Sequence, residues 1–284
     1  MVKYYSVNGK TVSVKNAKVQ INDLGLLRGY GIFDFLKIEK GVPLFIEDHL
    51  KRFQRSAKYM GLKIKFSAAE IKKMVLQLIK KNKFQEGGVK IVLTGGYSEN
   101  GYLPASKTNF FILLNQFTPP SKEQYSKGVK LMLHEHIREL PEVKTTNYIV
   151  PIRLAKKLKL VRALDVLYYN NGHISESSRS NFFIVKKDNM ILTSDIGVLK
   201  GITRKRVMKL AKKHYKLKEG KITIKDLKNA KEAFMTSTTK GALSIITIDN
   251  IIIGNGKPGE VTGHINELLT LQNKKYIHNF GNKK

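Results

Sequence analysis

The chain has 284 residues, 42% of them hydrophobic, and a formal net charge of +30 from 52 basic and 22 acidic residues. That length supports one or two domains with a sizeable core, and the absence of cysteine excludes disulfides and thiolate metal sites. The opening "MVKYYSVNGK" has no apolar segment of the secretory kind and no apolar run is long enough to span a bilayer, so a soluble cytoplasmic protein without a membrane partner is expected.

In chain order, "YYSV" and "TVSV" read as two strands around the turn "VNGK", because Asn8-Gly9 tolerates the positive φ of a tight hairpin. A glycine-rich loop, "NDLGLLRGYGIFDFLKIEKG", follows. Asp48 is the expected cap of a helix over "HLKRFQRSAKYM", where Leu50, Phe53, Ala57 and Met60 form one apolar stripe. Ser67 and Glu70 match a capping box ahead of "IKKMVLQLIKK". "GGVKIVLTGGY" and "TNFFILLNQF" read as strands, and Pro119-Pro120 ends the second of them. A boundary there predicts an N-terminal α+β domain over 1–118, a linker over 119–121 and a C-terminal α+β domain over 122–284.

The second half continues with strand "VKLMLHEH", helix "NYIVPIRLAKKLKL", and the paired strands "DVLYYNNGHIS" and "NFFIVKKDNMILTS". Helices "TRKRVMKLAKKHYKL" and "IKDLKNAKEAF", strand "FMTST", hairpin "SIITIDNIIIG" and a final helix complete it. Strands and helices are mixed without regular βαβ alternation, so two α+β units fit better than a doubly wound sheet.

A charge of +30 suits a nucleic-acid or anionic-surface partner. Here, however, the lysines are spread along the whole chain, and arginine, the better residue for bidentate phosphate and base contacts, supplies only 9 of the 52. A nucleic-acid reader clusters its charge, so compositional drift is the expected explanation and nucleic acid is not the expected partner. In such a chain each arginine asks for a reason. His134 and His136 share a strand face but have no carboxylate or thiol nearby in sequence, so no metal is assigned to them.

Four separated segments carry candidate chemistry. In "LPEVKTTNYIVP", Lys144 precedes a turn that opens a helix. In "GHISESSRSNFF", one acid, Glu176, and one arginine, Arg179, stand among small hydroxyl residues. In "LKGITRKRV", Gly201 leads into a helix whose first amides are free to bind an anion. In "FMTSTTKG", a strand ends in the hydroxyl run from Thr236 to Thr239, and Arg52 on the earlier helix can add positive charge. An amine nucleophile, a lone acid and anion ligands together suit pyridoxal 5'-phosphate.

The order Lys144, "ISESSRSN", "GITR" and "STT", preceded by "RGYGIFD" and "HLKRF", resembles the class IV, or fold-type IV, aminotransferases over almost the whole chain. This family includes D-amino acid aminotransferases, branched-chain aminotransferases and aminodeoxychorismate lyases. The resemblance implies the two-domain fold-type IV architecture, pyridoxal 5'-phosphate as cofactor, and a homodimer whose active sites are completed by loops of the other subunit. It implies that Lys144 binds the cofactor covalently and moves a proton between substrate Cα and cofactor C4′. Glu176 then keeps the pyridine nitrogen protonated, and Asn181 orients its loop. Arg52 takes the phosphate, together with the backbone amides of Ile202 and Thr203 and the residues Ser237 and Thr238. Tyr148 approaches the phenolic oxygen of the cofactor, with a packed helix residue as the alternative.

The substrate side departs from the family. The Arg-x-His pair that D-amino acid aminotransferases resemble one another in is missing from "SENGYLPASKTNFF", and their early tyrosine is Phe33 here. Arg28 and Arg179 lie outside the common patterns, and either planar guanidinium can grip a carboxylate. The expected activity is transfer of an amino group from a D-amino acid to a 2-oxo acid such as 2-oxoglutarate or pyruvate. The alternatives are a branched-chain L-amino acid aminotransferase, an aminodeoxychorismate lyase, and a basic nucleic-acid-binding protein on this fold.

Overall fold

The computed structural model describes residues 2–281. It divides into two compact units. The first holds the chain up to Thr118, the segment Val143–Asn147 and the residues from Asn273 onward; the second holds Pro119–Glu142 and Tyr148–Gln272. Among the described residues no helix is long and apolar enough to cross a membrane.

The first unit begins with the hairpin β1 (Tyr4–Val7) and β2 (Lys10–Ser13), turned by Asn8 at φ 48° and Gly9 at φ 85°. A single 3-10 turn and the short helix α1 (Leu24–Leu27) lead into the long strand β3 (Gly31–Glu39), followed by β4 (Val42–Pro43). Helices α2 (Ile46–Tyr59) and α3 (Ala68–Asn82) precede β5 (Gly87–Thr94) and β6 (Asn109–Asn115). The six strands form one sheet in the order β2-β1-β6-β5-β3-β4. Alternation along β3 decides its two faces. Ile32, Asp34, Leu36 and Ile38 are buried, while Phe33, Phe35 and Lys37 are only partly covered. α2 packs on β3 and on α3, so an acid, Asp34, lies inside an apolar layer.

The capping box of Ser67 and Glu70 forms as the sequence predicts. The start of α2 differs from the expectation. The helix begins two residues before Asp48, with Phe45 as N-cap in the left-handed conformation (φ 55°, ψ 36°), and Asp48 lies with Glu47 in the first turn. Both acids there still favour the positive end of the helix dipole.

The second unit contains α4 (Lys122–Lys127), β7 (Val129–Glu135), α5 (Ile149–Leu160), β8 (Asp165–Asn170), β9 (His173–Ser177), β10 (Asn181–Val185) and β11 (Ile191–Thr193). Then come α6 (Ile202–Ala211), β12 (Leu217–Glu219), β13 (Ile222–Thr223), α7 (Ile224–Asn229), β14 (Glu232–Ser237), β15 (Gly241–Ile248), β16 (Ile251–Ile252) and the start of α8 (Glu260–Gly281), whose residues from Asn273 onward belong to the first unit. The helix expected over "IKDLKNAKEAF" stops at Asn229, because Ala230 turns extended and Glu232 opens the central strand β14. The strand order is β12-β11-β10-β14-β15-β7-β8-β9-β13, and β10 also pairs with β9. That last pairing closes a ring of strands around Leu131, Leu167, Phe182, Ile184, Met235 and Leu243. On the outer side Phe183 and Phe234 stack 4.8 Å apart under α6 and α8. The ring closes at the residue pair Glu176 and Asn181.

Candidate active site

In the first unit, the lysine segment is held as an extra strand along β3. Although it follows the Pro119-Pro120 break, it joins this unit through backbone pairing: the Phe33 amide donates to the Lys144 carbonyl (2.9 Å) and the Thr146 amide to Gly31 (3.0 Å). Ile32 and Thr145 form an antiparallel bridge. The register places the Lys144 amine over the Phe33 ring, 4.7 Å from its centre. An aromatic face attracts an ammonium group, so β3 sets where the amine stands.

Behind Phe33, on the buried face of the sheet, Asp34 meets Arg52 and His49. The Arg52 Nε and Nη2 each donate to the Asp34 carboxylate at 2.8 Å, and His49 Nδ1 lies 2.7 Å from Oδ1. Burial alone would push the Asp34 carboxyl up; the Arg52 guanidinium and His49 overcome this and hold it well below the usual carboxylate range. Burial also lowers the His49 imidazole, and Arg52 and Lys144 add to that, against the pull of Asp34. His49 is therefore neutral at pH 7 and donates Nδ1–H, while Arg52 is the counter-ion. Arg52, expected as a phosphate ligand, is thus fixed from behind by Asp34, with Nη1 on the far side of the fork.

In the second unit, Glu176 is 3% exposed, and its carboxylate accepts from donors that include Arg138, Leu199 and Asn181. Arg138 Nη1 donates to Oε1 at 2.6 Å, the Leu199 amide to Oε1 at 3.0 Å, and Asn181 Nδ2 to Oε2 at 2.9 Å. Asn181 also donates to the Leu199 carbonyl at 2.7 Å. One carboxamide therefore ties the ring closure to the segment that enters α6. At the entry stands Gly201, and a Cβ there would come within 2.1 Å of Asn181 Oδ1. Glycine is required for this close approach. Gly201 caps α6 without a side-chain hydrogen bond, so the amides of Ile202 and Thr203 lie in the first helical turn, where no intrahelical acceptor exists.

β14 runs antiparallel beside β10 with Thr236 opposite Asn181, which places Ser237 and Thr238 at the same end of the sheet. Ser237 Oγ and Thr239 Oγ1 stand 3.3 Å apart in the turn to β15. Lys240, next in the chain, is buried; burial, with Arg179 adding to it and Asp165 opposing, pulls its amine down to about 8. Tyr148 is a half-buried N-cap of α5 rather than a helix residue.

The two unusual arginines are both exposed. Arg28 Nε donates to the Gly101 carbonyl at 3.0 Å, and Asp23 and Asp34 are engaged elsewhere. Arg179 is 59% exposed at its side chain, with Nε 3.9 Å from Asp165 Oδ2. Sequence reading missed Arg138, Asp34 and His49. Arg138 had the same signal as Arg179, an arginine in a lysine-rich chain. Asp34 had another, an acid at an inward position of an alternating strand.

These groups fit a pyridoxal 5'-phosphate cofactor. Three donors converging on Glu176 stabilise the negative charge that a protonated pyridine nitrogen needs opposite it. An uncapped helix start beside a hydroxyl turn fits a phosphate.

The Amino-transferase class IV family model matches residues 31–248. Among known proteins, the chain is similar to the D-alanine aminotransferase of Bacillus licheniformis, 28% identical over 268 residues, covering 92% of this chain and 94% of that protein. It is similar to the putative branched-chain-amino-acid aminotransferase of Methanocaldococcus jannaschii, 30% identical over 270 residues, covering 92% and 93%. Among solved structures, the T.th. branched-chain amino acid aminotransferase with pyridoxamine 5'-phosphate has the same fold, with a TM-score of 0.87, 23% identity and coverage of 94% and 93%.

Proposed function

The chain belongs to the class IV aminotransferases, enzymes that use pyridoxal 5'-phosphate, and we propose that it moves the amino group of a D-amino acid to a 2-oxo acid such as 2-oxoglutarate or pyruvate. When bound, the cofactor supplies an electron-withdrawing ring that makes the proton on the substrate Cα removable. Lys144 provides the amine that holds the cofactor and carries that proton between the substrate Cα and the cofactor C4′. Its half-buried place against Phe33 fixes where the amine stands. Glu176 holds the proton on the pyridine nitrogen. The Ile202 and Thr203 amides and the Ser237 and Thr238 segment would hold the phosphate, Arg52 would add its positive charge, and Tyr148 would serve the phenolic oxygen.

The observation that carries the transaminase reading is the three-donor clasp on Glu176. Glu176→Gln keeps the size of the side chain and removes its charge. Steady-state assays are expected to show kcat lower by roughly 100-fold or more, the scale of losing one preorganised electrostatic partner; a loss under threefold contradicts the assigned role.

The D-amino acid preference rests on similarity to D-alanine aminotransferases and on Arg28 and Arg179. Arg28 donates from Nε to Gly101, Arg179 places Nε 3.9 Å from Asp165, and both side chains are exposed, so either planar guanidinium can receive a carboxylate. A cytoplasmic homodimer belongs to the same reading. It is supported by the exposed apolar side chains Ile21, Leu26, Leu27, Tyr102 and Leu103, carried on two paired segments of the first unit. To test the function, mix the purified holoenzyme with D-alanine, D-glutamate or L-leucine and follow the visible cofactor band. D-Amino acids are expected to convert it to the pyridoxamine form. Conversion by L-leucine alone would make this a branched-chain enzyme, and pyruvate release from aminodeoxychorismate without pyridoxamine would make it a lyase.

A further inference from the structure

The half-covered face of the six-stranded sheet carries a second amine beside Lys144. Lys90 lies on β5, directly across from Phe35 and diagonal to Phe33. Its Nζ stands 5.5 Å from the centre of the Phe33 ring, the same ring that lies under the Lys144 amine at 4.7 Å. A half-buried lysine in the middle of a sheet is costly to place there without a counter-charge. The neighbouring Lys37 on this face has one, Glu39 at 2.8 Å. Lys90 has no ion pair or hydrogen bond from its amine recorded among the described residues. One aromatic wall thus presents two ammonium groups, and among the described residues no acid pairs with the Lys90 amine.

We propose that Lys90 receives the side-chain carboxylate of the substrate, so that the enzyme favours acidic amino acids and their 2-oxo acids over alanine and pyruvate. The inference rests on the transaminase reading above, in which Lys144 works at the substrate Cα. A glutamate or aspartate skeleton separates that carbon from the distal carboxylate by about 3–5 Å, two or three C–C bonds. Amines 4.7 and 5.5 Å from one ring centre lie no more than about 10 Å apart, within reach of such a skeleton with a contact of about 3 Å at each end. Beside the ring, water is partly excluded and the attraction of ammonium for carboxylate is stronger than in bulk solvent. Lysine acts here as a point charge, and it accommodates either chain length.

The test uses the holoenzyme, Lys90→Met and Lys90→Arg, with both enantiomers of glutamate and of alanine. In Lys90→Met the ratio of kcat/KM for glutamate to that for alanine is expected to fall roughly 10- to 100-fold, the range for losing one charge-assisted hydrogen bond. Lys90→Arg is expected to restore most of it. A ratio within twofold of wild type overturns the proposal, and so does an equal loss on both substrates, which would put Lys90 at the α-carboxylate. Which enantiomer turns over decides the D-amino acid reading separately. Calorimetric titration with glutarate and with butyrate gives a readout that needs no turnover. Wild type is expected to bind glutarate more tightly, with that preference lost in Lys90→Met; no preference in wild type overturns the proposal even if neither enantiomer reacts.

Discussion

Replacing Lys144 by alanine is expected to lower kcat by about 10⁴-fold or more, the upper end for proton transfer by one positioned side chain. The cofactor loses both its covalent anchor and the base that serves the substrate Cα. The fold is expected to survive, since the contact that ties this segment to β3 is made by the Lys144 carbonyl, which alanine keeps. The amine over the Phe33 ring is removed, and that contact contributes about 0.5–1 kcal/mol. The check is kcat by coupled assay, with the thermal midpoint and the visible spectrum of the same preparations. A variant that keeps a tenth of wild-type turnover would show that another lysine does this work.

The second large effect concerns stability. Asp34→Asn leaves the Arg52 guanidinium buried without its counter-charge, and breaking one side of such a pair costs about 3–5 kcal/mol. Urea unfolding at pH 7 should show it. The pH dependence follows from the directions of the two shifts. The folded Asp34 carboxyl is held below its unfolded value near 4, so its contribution is complete above about pH 4 and disappears as acid protonates it. His49 is also lowered on folding, so stability begins to fall once the pH drops below the ordinary histidine value of about 6.5, where the unfolded chain gains a proton. Wild type should therefore lose stability in two steps on acidification. Asp34→Asn should shrink the lower step, leaving the share of other lowered carboxyls such as Glu47 and Asp226, and keep the upper one. An unchanged slope below pH 4 in the variant would remove Asp34 from this role.

What was legible in the sequence was local. Asn8-Gly9 announces a positive-φ turn, and Ser67 with Glu70 announces a helix start, because the partners lie within a few residues of each other. Glu176 stood out as a lone acid among hydroxyls. Two of its donors did not, because Arg138 is 38 residues away and the Leu199 amide 23, and both meet it only once the chain has folded. The same holds for Lys144. The sequence shows a turn before a helix, whereas the chain lays that turn along β3, more than a hundred residues earlier. The start of α2 was misplaced because a left-handed Phe45 carries no residue-type signal, while Asp48 offers a good cap that the helix does not use. The class IV resemblance came from ordered motifs and needed no geometry. Lys90, by contrast, is one of 43 lysines, and only the register across Phe33 and Phe35 distinguishes it.

The measurement that bears most directly on the active site is reductive trapping. Treat the yellow holoenzyme with borohydride, which makes the lysine–cofactor bond permanent, digest it, and locate the phosphopyridoxyl group by mass spectrometry. The expected result is one modified peptide, carrying the group on Lys144, with the label abolished in Lys144→Ala. Label on any other lysine, Lys90 or Lys240 included, or a protein that takes up no cofactor, would contradict the assignment.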